Sequence, residues 1–274
     1  MEYVLNRKVI RHEPDSNNSF DDVLTIEEPL EIRLKYHTQR GDFKMISLAV
    51  TMRTPGDDEA LARGFLFTEG IIKSQKDVVQ VEEPAENIIV LSLEVSVHFD
   101  AEALKRNFYT TSSCGVCGKA SIDSIHSDSI YLPWSSRFAI DKQKLFALPE
   151  KLKEFQSQFE QTGGIHACAL ANDAGEIVHV REDVGRHNAM DKLIGSWEDY
   201  PIGNYMVLVS GRASFELVQK ASKVGIPLLA AIGAPSSLAV QLAEEQGMGL
   251  VGFLRRGSFN VYTGSNRLIT KEVF

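Results

Sequence analysis

Through the last quarter of the chain, short uninterrupted apolar runs alternate with amphipathic stretches, and that alternation constrains the fold more than any other feature. Tyr205 to Val209, Leu228 to Ile232 and Leu250 to Leu254 are continuous runs, the pattern of strands buried on both faces. Between the first two, Leu217, Val218, Ala221 and Val224 share one face of a helix that Ser214 opens and Gly225 and Pro227 close. Gly233-Ala234-Pro235-Ser236-Ser237 opens a second helix, which ends at Gly247. Buried strands alternating with such helices stack into βαβ units. The expectation is a three-layer α/β domain around a mainly parallel sheet.

The front of the chain reads differently. Leu30-Glu31-Ile32-Arg33-Leu34 and Ile46-Ser47-Leu48-Ala49-Val50 alternate as half-buried strands do. Asp57 or Asp58 can cap a helix running to about Phe67, with Gly70 as its stop, and Ile88 to Val97 is a further strand. Residues 20–107 are therefore expected to form a smaller α+β domain. Residues 1–19 are polar, with Pro14-Asp15-Ser16-Asn17-Asn18 as loop, and read as a flexible tether. A mobile thiol loop at 108–120 then precedes the α/β domain, 121–274. Within that domain, Leu152, Phe155 and Phe159 mark one helix from Leu148 to Glu160. Ile165 to Leu170 and Glu176 to Val180 flank Asn172-Asp173-Ala174-Gly175 as a hairpin.

With 274 residues, 43% of them hydrophobic, the chain can bury a large core. A formal net charge of −8 argues against broad nucleic-acid binding, which needs a basic footprint. No apolar run is long enough to span a bilayer, and the first residues lack the apolar centre of a signal peptide. Three cysteines exclude a disulfide scaffold and fit a reducing, cytoplasmic setting.

In open α/β sheets, ligands sit beyond the carboxyl ends of the strands. Here those ends are Ser210-Gly211-Arg212, Gly233-Ala234-Pro235-Ser236-Ser237 and Phe253-Leu254-Arg255-Arg256-Gly257-Ser258. Glycines let backbone amides approach an anion, helix N-termini favour it, and arginines add charge. The crevice suits a phosphate or nucleotide. Ordinary βα turns with a solvated arginine pair would look the same, and neither GxGxxG nor a Walker A sequence is present. A second polar cluster, Arg181 to Lys192, holds Asp183, which can cap a helix reaching Ile194 and could orient His187 as a general acid or base. A charged cap on an amphipathic helix is the simpler reading of the same residues.

Cys114-Gly115-Val116-Cys117 lies in a Gly/Ser/Thr segment beside Lys119, a setting that favours a thiolate. Redox exchange, metal ligation and sulfur carriage all remain open. A thioredoxin-like motif would follow a strand and open a helix, and here polar residues precede it. Zinc would need two more ligands; His166 and Cys168 are available but sit in an apolar strand, where Cys168 reads as core. Nucleobase deaminases carry H-x-E ahead of P-C-x-x-C, whereas His166-Ala167-Cys168 follows the thiols and lacks the Glu. A mobile thiol that accepts sulfur as a persulfide and passes it on is chemically sound, with its neighbour assisting release by exchange.

These motifs taken in order resemble the FdhD family of formate dehydrogenase accessory sulfurtransferases. The likeness rests on Ser113 to Gly118, Thr162 to Ala167, Glu182 to Lys192, Ser210 to Arg212, Gly233 to Ser237 and Gly252 to Arg255, and spans about residues 20 to 265. It implies a cytidine-deaminase-like α/β domain without deaminase activity, a smaller domain, and a homodimer. It implies that Cys114 carries sulfur from a cysteine desulfurase as a persulfide and that Cys117 assists. The acceptor implied is the molybdenum or tungsten of a bis-molybdopterin guanine dinucleotide destined for formate dehydrogenase. Its nucleotide end, or a free guanine nucleotide, would lie against Phe253, Leu254, Arg255, Arg256, Gly257 and Ser258, with Ser210, Gly211, Arg212 and Gly233 nearby. No resident metal is implied.

Overall fold

The computed structural model describes residues 4–38, 41–99 and 131–269. Residues 4–19, expected within a flexible tether, belong instead to a hairpin of β1 (Val4–Glu13) and β2 (Ser16–Thr25), turning at Pro14-Asp15. The apolar pairs Leu5–Leu24 and Val9–Phe20 lie across it, hidden among polar neighbours that masked the alternation. Thr25 ties its base to the body through a 2.7 Å hydroxyl contact with Thr162.

The next unit is a four-stranded sheet of β3 (Glu28–His37), β4 (Phe43–Arg53), β5 (Val78–Ala85) and β6 (Ile88–Leu93), in the order β4-β3-β6-β5. β6 stops at Leu93, short of the expected Val97. Leu30, Ile32, Leu34 and Tyr36 alternate along β3 and are all buried, as a sheet with one covered face requires. The cover includes α1 (Asp58–Thr68), which Gly70 terminates in a left-handed conformation at φ 76°.

The second sheet has six strands: β8 (His166–Ala171), β9 (Ile177–Asp183), β10 (Met206–Val209), β11 (Leu228–Ala231), β12 (Gly249–Arg255) and β13 (Ser258–Thr263). Their order is β13-β12-β11-β10-β8-β9. The expected parallel strands β10, β11 and β12 form its centre, yet the sheet is mixed rather than mainly parallel. β8, β9 and β13 all run antiparallel to their neighbours. Two short connections cause this, Asn172 to Gly175 and Arg256-Gly257, because a tight hairpin can only join antiparallel strands.

One face of this sheet packs on Leu145, Leu148 and Leu152 of α2 (Lys142–Lys153). The other packs on α4 (Arg186–Gly195), α5 (Phe215–Lys223) and α6 (Ser237–Glu245). The helix expected from Leu148 to Glu160 is broken: α2 ends at Lys153 and α3 (Ser157–Thr162) starts afresh. Phe155 and Phe159 consequently face outward, and the leucines alone carry the packing. Two short strands, β7 (Ile140–Asp141) and β14 (Leu268–Ile269), pair beside α2.

The two sheets share one core because α1 lies directly on α4. A Cβ at Gly64 would sit 1.9 Å from the Asp191 carbonyl oxygen, and one at Gly195 would sit 1.9 Å from that of Ala60. Side chains are excluded at that crossing, so the backbones touch. No helix among the described residues is long and apolar enough to cross a membrane.

Candidate functional site

The carboxyl ends of β9, β10, β11 and β12 and the start of β8 lie on one rim, and register aligns them. His166 pairs with Asp183. Ser210 exchanges hydrogen bonds with Ala167, which brings Gly211 level with His166. Gly233 N–H donates to the Gly211 carbonyl at 2.9 Å, and Phe253 N–H donates to the Gly233 carbonyl at 3.0 Å. Asp183, His166, Gly211, Gly233 and Phe253 thus form a transverse row across five strands.

Small residues keep this row shallow. A Cβ on Gly233 would come within 3.0 Å of the Gly211 oxygen, and one on Gly211 within 3.3 Å of the His166 ring. Phe253 departs from the ordinary backbone at φ 53°, within a register irregularity between Gly252 and Arg255. A bulky residue held in the left-handed region costs energy and marks places where structure serves something other than stability. The residue is 39% exposed at the rim.

The sequence-expected residues divide clearly. Ser210, Gly211, Arg212, Gly233 and Phe253 come together on the row, and Arg255, Arg256, Gly257 and Ser258 form the β12–β13 turn at the same end of the sheet. Neither Arg255 nor Arg256 has an ion-pair partner among the described residues, and both are exposed. Leu254 turns inward and is fully buried beside Leu208 and Val251, so only its backbone faces the turn. Cys114 and Cys117 lie outside the described residues.

The second polar cluster reaches the same rim, with roles that differ from the expectation. Asp183 does not orient His187. Its carboxylate accepts from Gly185 N–H at 2.8 Å and Asn188 Nδ2 at 3.2 Å, and Lys192 Nζ lies 2.8 Å away. Thr54, between β4 and α1, locks this arrangement: its N–H donates to Asp183 and its hydroxyl accepts from Val184 N–H. Burial pushes Asp183 above the usual carboxylate range despite Lys192. The residue that holds His187 is Glu216, whose Oε2 is 2.6 Å from Nε2, with Ser214 Oγ at 3.3 Å. Sequence reading named Ser214 only as a cap and passed over Glu216, although a carboxylate in the first turn of α5 was visible. Burial holds His166 below the ordinary imidazole range, helped by Arg186 and His187.

Cys168 is 1% exposed, and burial pushes its thiol up, so it stays protonated. It is core, and a zinc ion using it would have to enter the core. A cavity of about 410 Å³ opens on the outer side of β9, lined among others by Asp57, Gln158 and Arg181. It shares no residue with the row. Arg181 Nε stands 3.4 Å from an Asp57 carboxylate oxygen there.

Comparison with known proteins bears on what this rim serves. Residues 26–269 match the model of the FdhD/NarQ family. The chain is 46% identical to the sulfur carrier protein FdhD of Streptomyces coelicolor, covering 96% of this chain and 94% of that one. It is 42% identical to that of Mycobacterium tuberculosis, over 98% and 100% of the two chains, and 42% identical to that of Sulfurisphaera tokodaii, over 96% and 98%. A crystal structure assigned as a formate dehydrogenase accessory protein from Desulfotalea psychrophila superposes with TM-score 0.77 at 23% identity, over 98% of this chain and all of that one. At that identity the likeness speaks for the fold.

Proposed function

Since the chain belongs to the FdhD/NarQ family, we propose that it is a sulfur carrier that acts in the maturation of formate dehydrogenase. One observation carries the assignment of its chemistry. Of three cysteines, Cys168 is sealed in the core with a raised thiol pKa, which leaves Cys114 and Cys117 to carry sulfur. Their Gly/Ser/Thr setting beside Lys119 suits a reactive thiolate.

In this reading Cys114 thiolate attacks the terminal sulfur of a persulfide on a cysteine desulfurase. The desulfurase thiolate leaves, and Cys114 holds the sulfane sulfur. Release follows when Cys117 thiolate attacks the Cys114 sulfur: a Cys114–Cys117 disulfide forms and hydrosulfide departs, its two electrons supplied by the thiol pair. The acceptor is the molybdenum or tungsten of a bis-molybdopterin guanine dinucleotide, a substrate rather than a resident cofactor. The nucleotide end of that substrate lies along the rim from Gly233 to Ser258, where glycine backbone and Arg255 and Arg256, without ion-pair partners among the described residues, support an anion. The α/β unit then serves as a cytidine-deaminase-like scaffold stripped of its acid/base Glu, and the working form is a homodimer.

Peptide mass spectrometry after incubation with a cysteine desulfurase and cysteine tests the carrier step. The Cys114 peptide should gain one sulfur atom, removable by reductant, and Cys114→Ala should lose both the gain and the maturation of formate dehydrogenase. A normal yield of active formate dehydrogenase with Cys114→Ala would remove the residue from the mechanism.

A further inference from the structure

Buried polar groups in folded proteins find partners, and those that do not require an explanation. One side chain at a corner of the rim breaks that rule, and two imidazoles beside it carry unengaged nitrogens. Arg186 Nε is buried with no hydrogen-bond partner. His187 is engaged only through Nε2, by Glu216 and Ser214, which leaves Nδ1 without a partner among the described residues. His166, half-buried, makes no ring hydrogen bond among them either. The three are neighbours: Arg186 and His187 both act electrostatically on His166, and the His166 ring stands over Gly211. The arrangement is not a hydrolytic triad, because Glu216 and Ser214 meet the same ring nitrogen instead of opposite ones. Glu216 fixes the ring through Nε2 and leaves Nδ1 to meet a ligand.

Charge settles what that is. Asp183 is matched by Lys192, and the Glu216 carboxylate is engaged by His187 Nε2. What is left over is the Arg186 guanidinium at the first turn of α4, where the helix dipole also favours negative charge, with His187 Nδ1 beside it and the His166 ring at the start of β8 as hydrogen-bonding groups. The corner is built for an anion.

Its place on the sheet identifies the anion. β12 and β8 are separated by β11 and β10, three strand spacings or about 14 Å. An elongated ligand with its nucleotide at the β12–β13 turn would lie along the glycine row and end at this corner. We propose that His166, Arg186 and His187 form the acceptor end of the crevice and hold the oxyanionic metal centre of the substrate while it receives sulfur, with Glu216 as the positioning residue for His187. The proposal rests on the sulfur-carrier reading above, and its test can fail separately from that reading.

The experiment uses two probes on the purified full-length protein: molybdate, followed by dialysis with metal analysis, and GDP, followed by calorimetry. Arg186→Gln and His166→Gln should each weaken molybdate binding about 10-fold or more, the scale of a lost charge-assisted hydrogen bond. GDP affinity should stay within about twofold in both. The double variant Arg255→Ala, Arg256→Ala should do the reverse. In the unaltered protein, molybdate should shift the ring proton resonances of His166 and His187, a measurement independent of how any variant folds. The proposal fails if those resonances do not respond, or if Arg186→Gln weakens GDP as much as the arginine pair does. Absence of GDP binding to the unaltered protein would instead overturn the nucleotide reading, and the molybdate result would still decide the corner.

Discussion

Asp191 and Lys192 are adjacent in α4, opposite in charge and both buried, yet neither pairs with the other. Consecutive helical residues point about 100° apart, so each finds a partner in a different layer. Asp191 receives Lys220 Nζ at 2.8 Å on both carboxylate oxygens and Thr68 Oγ at 2.8 Å. This joins α4 to α5 and to the end of α1. Lys192 instead reaches Asp183 and the Thr54 carbonyl, both at 2.8 Å. The first pair fastens the scaffold, and the second holds the loop from Asp183 to His187 that presents the rim. Polar groups this deep are retained at a cost in desolvation, so position more than stability explains them.

Breaking the scaffold pair should have the largest effect. Burial penalises the Lys220 charge, but Asp191 and Glu69 outweigh it and raise its pKa. Lys220→Met would leave Asp191 buried against a hydrophobe, and urea unfolding should show a loss of about 3–5 kcal/mol. Hydrogen exchange should rise throughout the core with no special change at the rim.

Lys192→Met should cost less, roughly 2–3 kcal/mol in the same assay, because Asp183 keeps three hydrogen-bond donors and can take up a proton. Its distinguishing sign is local. The Gly185 amide, which donates to Asp183, should exchange faster than the drop in global stability predicts. Equal protection loss in the two variants would mean that both pairs merely hold the scaffold together.

The contrast also separates what was legible in the sequence from what was not. Val207, Leu229 and Val251 sit in continuous apolar runs, and their strands and the helices between them lie where periodicity placed them. Glycines past the strands pointed to the rim for a physical reason, close backbone approach, that the row from Gly211 to Gly233 uses. Long-range pairing was not legible. His187 belongs with Glu216 and not Asp183 because α4 and α5 start side by side, a relation fixed by the sheet and absent from local spacing. The hairpin at residues 4–25 was missed because its apolar pairs are sparse, and the mixed sheet because β13 is largely exposed with little apolar signal and nothing local placed the expected β8–β9 hairpin against β10.

A smaller effect is expected where nothing is buried. Arg255→Ala with Arg256→Ala should leave stability within about 0.5 kcal/mol, since surface changes rarely do more. Guanine-nucleotide affinity by calorimetry should nevertheless fall by roughly 1–3 kcal/mol, the range for hydrogen bonds to charged groups. An unchanged affinity would show a solvated pair and would detach this turn from the rim.

The smallest predicted effect is a pH dependence that only the rim should show. Burial, with Arg186 and His187, lowers the His166 pKa, while Asp183 opposes them weakly. In the unfolded chain the imidazole takes a proton near its ordinary pKa of about 6.5. Below that value the unfolded state binds more protons than the folded one, so stability present above about pH 6.5 is lost as pH falls toward the lowered folded value. His179 is lowered by burial too and contributes in the same direction. His166→Gln should therefore flatten part of the decline in thermal stability below about pH 6.5, and leave the part owed to His179. Bound molybdate should act oppositely, because an anion at the corner favours protonated His166 and draws its pKa up. If the decline persists unaltered in His166→Gln and molybdate does not reduce it in the unaltered protein, His166 is not the group that couples the rim to pH.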